Sequence, residues 1–156
     1  MLRGNLALAL LDQALAWRSN AAVPPLSQRK WAFLMCVAGR IVPAAADLDA
    51  DGRSRFIAIV GKALADRPRS IQRQFVLFLG LMRWLALLRF GAPFDRLGPT
   101  DQDAVLRWLL DAPLAKLRVG FWGLRALAFM GYYGQTEVWS SLRYSPSFNG
   151  NERLHG

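Results

Sequence analysis

The sequence predicts an all-α fold: a single-domain bundle of about six helices around a buried apolar helix, with no sheet. Three observations predict it. Hydrophobic residues make up 53% of the 156 positions and charged residues only 20%, which is enough apolar surface for a core and too little charge for a disordered chain. Leucine and alanine, both good helix formers, exceed a quarter of the chain, while β-branched residues are few. Apolar residues recur every three or four positions, and no run alternates in the manner of a strand. The length is that of one domain.

The elements follow from punctuation. Residues 2–17 read as an N-terminal amphipathic helix with Leu6, Leu10, Ala14 and Trp17 on one side. Residues 18–26 form a linker, because Asn20, Pro24 and Pro25 break any period. The helical domain spans 27–145. Ser27 is placed to cap a helix running to about Ile41, with Trp31, Leu34, Ala38 and Ile41 on one stripe, and Pro43 stops it. A polar loop follows, then a helix over about 53–65 with Phe56, Val60 and Leu64 facing inward, closed by Pro68.

The next helix covers about 69–90. From Phe75 onward it is apolar nearly all round, the pattern of a helix enclosed by others. The run 75–90 is about four residues short of a bilayer span and carries Arg83 in its middle, so a buried core helix is expected. Thr100 and Asp103 have capping-box spacing for a helix over about 101–111, and Asp101 favours its N-terminal dipole. Pro113 separates it from a helix over 114–133, which ends near Gly134. A short helix over 137–142 follows, and 146–156 is a loose polar tail.

The reactive inventory is sparse. The one histidine, His155, is next to last, and the one cysteine, Cys36, lies in an apolar stretch where it reads as a small core residue. Nucleophilic triads need a rigidly held histidine, and zinc or iron–sulfur sites need several Cys or His ligands. No catalytic, cofactor-binding or metal residue is therefore assigned. Asp47, Asp49, Asp51 and Gly52 resemble the start of a calcium loop, but the twelfth loop position is Ala58, where a bidentate glutamate belongs. A polar turn with Asp51 capping the next helix is expected instead.

Charge is lopsided. Twenty basic residues oppose eleven acidic ones, for a net charge of +9, a balance that suits an anionic partner or reflects an arginine-rich composition. No acid occurs between Asp66 and Asp95 or between Asp111 and Glu137. Arg83 is expected to reach solvent or to pair with Asp95 or Asp103, because an unpaired charge in an apolar helix is costly. The N-terminus lacks the long apolar centre and cleavage site of a signal peptide. A cytoplasmic location is expected, or a periplasmic one if an exported partner carries the chain.

The 114–133 segment has two faces at about 100° per residue. Leu114, Arg118, Phe121, Trp122, Arg125, Phe129, Tyr132 and Tyr133 share one side; Gly120, Gly123, Leu124, Leu127, Met130 and Gly131 share the other. The glycine side is expected to pack inside. The aromatic and arginine side has the composition of a protein-interface core. The candidate partner-interface residues are Arg118, Phe121, Trp122, Arg125, Phe129, Tyr132, Tyr133 and Trp139.

The stretch Phe94-Asp95-Arg96-Leu97, then Thr100 to Trp108, Leu117-Arg118, Tyr132-Tyr133 and Trp139 resembles a known pattern. It is similar to the small helical subunit that accompanies glucose-methanol-choline-type flavin dehydrogenases, of the gluconate 2-dehydrogenase subunit 3 type. It is also similar to the helical region joined to the flavin domain in long-chain fatty alcohol oxidases. Arg40-Ile41-Val42-Pro43 matches the end of an early helix there, and the resemblance covers about residues 27–145. It implies a non-catalytic accessory subunit that binds and stabilises a flavoprotein large subunit. FAD and the hydride transfer would belong to that partner, and this chain would take no cofactor or small-molecule substrate of its own. The alternative is a basic helical protein that binds a membrane surface or nucleic acid.

Overall fold

The structure, a computed structural model, describes residues 26–143. The helix expected at 2–17, most of the linker and the tail lie outside the described residues. The described residues form six α-helices and two single 3-10 turns: α1 (Gln28–Ile41), a turn at Pro43–Ala45, α2 (Ala50–Ala65), α3 (Arg69–Phe90), a turn at Phe94–Arg96, α4 (Pro99–Leu110), α5 (Ala115–Tyr133) and α6 (Thr136–Ser141). The all-α bundle is as the sequence predicts, and there is no strand among the described residues. Leu26, assigned to the linker, is buried in the core, so the packed domain begins one residue before Ser27.

Two helix starts differ from expectation. α2 begins at Ala50, and its cap is Asp49, whose side chain accepts the Gly52 N–H at 2.7 Å. Asp51 lies in the first turn instead, where its charge favours the helix dipole. α4 begins at Pro99 with Gly98 in the capping position, so Thr100 is already inside the helix and makes no capping-box bond. The proline φ is pre-set for a first helical residue, which moves the start upstream. Ser27 does stand at the head of α1, though its side chain makes no capping bond. α3 ends where expected, at Gly91, whose φ of +73° suits glycine and lets its N–H reach the Leu87 carbonyl.

The hub of the bundle is α5. It packs most heavily against α2 and also meets α1, α3, α4 and α6. Its buried side carries Leu117, Phe121, Leu124, Ala128 and Gly131. Two glycines explain why so many elements fit around it. A Cβ on Gly131 would stand 2.5 Å from the fully buried Phe56 ring of α2, and one on Gly120 would stand 2.5 Å from the Phe78 ring of α3. Each missing methyl is a socket for a neighbour's ring, and interiors packed this densely leave no slack for the extra atom.

The expectation of an enclosed 69–90 helix is corrected. Phe75, Phe78, Leu79, Met82 and Ala86 of α3 are buried, but only 28% of its most apolar window is. Leu77, Trp84 and Leu88 are 72%, 64% and 81% exposed, and Leu81 is exposed as well. The helix therefore lies on the flank of the bundle, with α4, α5 and the Phe94–Arg96 turn as its main contacts. Among the described residues, its neighbours cover one side of α3 and leave the other open.

Polar pins fix the corners. The Arg40 guanidinium of α1 grips Asp103 of α4 at two points, 3.0 Å and 2.6 Å. Arg83 pairs with Asp95 at 3.1 Å, one of the two partners expected for it; Asp103 is taken by Arg40. The buried Gln102 amide donates to the Phe94 carbonyl at 3.0 Å, which also accepts the Leu97 N–H at 3.2 Å, and so ties α4 to the turn before it.

Candidate functional site

The candidate docking face is on α5. Buried and exposed residues on this helix place its outward direction near Val119, Trp122, Ala126, Met130 and Tyr133. The stripe expected from sequence is centred roughly 75° away at 100° per residue, so it straddles the boundary between core and solvent. Its members accordingly divide.

Phe121 is 6% exposed and belongs to the core, which removes it from the interface set. Arg118 is a structural residue. Its guanidinium donates to the Ala112 and Pro113 carbonyls, at 2.5 Å and 3.3 Å, and so closes the turn between α4 and α5. The glycine side also divides. Gly120, Leu124 and Gly131 face inward as expected, whereas Gly123 and Met130 are exposed.

Four of the expected residues form one continuous ladder. The Arg125 guanidinium lies 5.1 Å from the Trp122 ring centroid and 5.2 Å from that of Phe129. Phe129 is 5.9 Å from Tyr133, and Tyr133 meets Tyr132 edge-on at 5.0 Å. The spacing i, i+3, i+7, i+11 keeps Trp122, Arg125, Phe129 and Tyr133 on one line of the helix. Trp122 is 52% exposed, Tyr133 is exposed, and Arg125, Phe129 and Tyr132 are half-buried. Sandwiching holds the guanidinium in place without an acid, since a cation is attracted to each aromatic face. The rings are pre-ordered, so a partner that covers them loses less conformational freedom on binding.

Trp139 of α6 supports the far end. Its indole N–H donates to the Tyr133 carbonyl at 2.7 Å. The buried Gln135 side chain donates to the Gly131 carbonyl at 2.9 Å and accepts from Arg55 at 3.2 Å, and Arg55 also pairs with Glu137. The Tyr132–Tyr133 pair is thereby fixed to α2 and α6.

Sequence reasoning missed the exposed flank of α3, where Leu77, Leu81, Trp84 and Leu88 follow one another at spacings of four, three and four. That spacing is a helical stripe legible in the sequence, but the opposite side is equally apolar and hydropathy does not rank them. An open groove of about 320 Å³ adjoins its end, lined by Leu85, Leu88, Arg89, Val105 and Trp108.

Cys36 stands apart from both faces. Burial, reinforced by the Asp95 charge, pushes its thiol pKa up, against a lowering by the Gln102 amide and Arg40. A thiol held neutral is a poor nucleophile. The Asp47–Gly52 segment is the entry to α2, with the Asp49 carboxylate engaged by the backbone. Among the described residues no group of three or more His, Cys, Asp or Glu side chains is arranged to hold a metal ion. Compared with protein-family models, curated proteins and solved structures, the chain matches none of them.

Proposed function

We propose that this protein is a non-catalytic accessory subunit that binds and stabilises a flavin-dependent dehydrogenase of the glucose-methanol-choline class, with FAD and hydride transfer on the partner chain. The observation that carries the docking role is the Trp122–Arg125–Phe129–Tyr133 ladder, a pre-ordered aromatic and arginine strip at the surface of the bundle's hub helix. Trp, Tyr and Arg dominate the energetics of protein interfaces, most of all where they are rigid and clustered. The class of partner rests on the sequence resemblance.

Several residues that carry that resemblance have structural work in this fold. Phe94 is fully buried edge-on against Phe33 at 5.8 Å, Asp95 holds Arg83, and Arg118 closes the α4–α5 turn. They shape a frame that leaves the ladder at its surface.

The test is co-expression of the tagged chain with a flavoprotein of this class encoded beside it. The expected result is a stoichiometric complex with a flavin spectrum. Trp122→Ala combined with Arg125→Glu should weaken it by tenfold or more while the helical circular dichroism stays unchanged. A complex that forms equally well with the double variant refutes the docking face. A flavoprotein that never co-purifies with the wild-type chain refutes the assignment of partner.

A further inference from the structure

We propose that the exposed face of α3, formed by Leu77, Leu81, Trp84 and Leu88 with Arg73 and Arg89 at its ends, lies in the surface of an anionic lipid bilayer. This surface is separate from the α5 ladder and does not depend on the flavoprotein reading. Three of its four apolar side chains are more than 60% exposed. They stand in one line along the helix, with Arg73 one turn before Leu77 and Arg89 directly after Leu88. Contiguous apolar patches of this kind mark interaction sites.

Charge decides between occupants. α3 carries Arg69, Arg73, Arg83 and Arg89 and no acid. Only Arg83 has an ion-pair partner among the described residues. A second copy of the chain packed on this face would set arginines against arginines. Residues 1–25 bring Arg3, Asp12 and Arg18, one acid against two bases. Neither supplies the missing negative charge, whereas an anionic bilayer supplies it everywhere along the helix.

Shape points the same way. Leu77 and Leu88 project from the side of a single helix, and the groove beside Leu88 is open, with Arg89 in its lining. Such a surface needs an occupant that deforms around it. Leucines inserted to the acyl boundary, with tryptophan and arginine at headgroup level, are the arrangement of a helix lying in the membrane plane.

The experiment is flotation of the full chain with vesicles of phosphatidylcholine alone or mixed with phosphatidylglycerol, at low and high salt, with tryptophan fluorescence as a second signal. Binding to the mixed vesicles is expected, with a blue shift that Trp84→Phe reduces. Phosphatidylcholine alone or high salt should lower binding severalfold. Leu77→Glu with Leu88→Glu should lower it tenfold or more; both sites are exposed, so the melting temperature should not fall. Arg73→Gln and Arg89→Gln leave the apolar face intact and should each cost about fivefold. No binding to the mixed vesicles overturns the proposal, as does undiminished binding by the leucine double variant. A dimer that the leucine variant dissolves, without vesicle binding by the wild type, overturns it in favour of a second copy. Loss of the flavoprotein complex in that variant, again without vesicle binding, overturns it in favour of a protein occupant.

Discussion

Arg125 carries the docking argument at the scale of one residue. Its neighbours on the helix surface are Trp122 and Phe129, and among the described residues no carboxylate pairs with it. Trp122 then has a defined stability signature. A tryptophan in a core costs about 3–5 kcal/mol when truncated to alanine; one that is 52% exposed should cost about 1 kcal/mol or less. Thermal denaturation of Trp122→Ala checks this, and a loss in the core range would mean the ring is packed rather than presented. Cys36 has a signature in pH. Its raised folded pKa means the unfolded thiol ionises first, near pH about 8.5. Stability that is complete below that pH should fall as pH rises toward the folded value, and Cys36→Ala should remove this component. Alkylation of the native thiol at neutral pH should be slower than that of the unfolded chain.

The elements show why helix boundaries were more legible than helix faces. Pro68, Gly91, Pro113 and Gly134 act through local backbone chemistry, and the ends of α3 and α5 fall beside them. The two misplaced starts, at α2 and α4, were also local contests, between neighbouring aspartates and between Gly98-Pro99 and Thr100. Faces are different. α5 was rotated in expectation because its aromatic residues look alike in hydropathy, and only Phe56, Phe78 and the other packed side chains select which of them turn inward. Gly131→Ala tests that packing. Its new methyl meets a fully buried ring at 2.5 Å, so the variant should lose about 1–3 kcal/mol, read as a lowered melting temperature. Gly123→Ala, with open space at its Cβ, should be neutral or slightly stabilising through helix propensity.

At the scale of the whole molecule, the core leaves apolar surface exposed among the described residues, and the α5 ladder and the α3 flank are the two stretches of it described above. The isolated chain should therefore bind a hydrophobic dye in its folded state. Leu77→Glu with Leu88→Glu should reduce that binding without lowering the melting temperature, as dye fluorescence and thermal denaturation would report. The sequence by itself determined the helical class, most helix boundaries and the aromatic character of α5, because these depend on composition and backbone breakers; it left Arg83 between solvent, Asp95 and Asp103, and the fold chose Asp95. The tertiary structure alone decided that α5 rather than α3 is the hub, that Phe121 and Arg118 serve the frame, and that the Leu77–Leu88 stripe faces outward. The physical reason is that periodicity states how apolar each side of a helix is, whereas burial depends on how many neighbours exist to cover it. With two glycine sockets on α5, the neighbours gather there, and one side of α3 is left uncovered among the described residues.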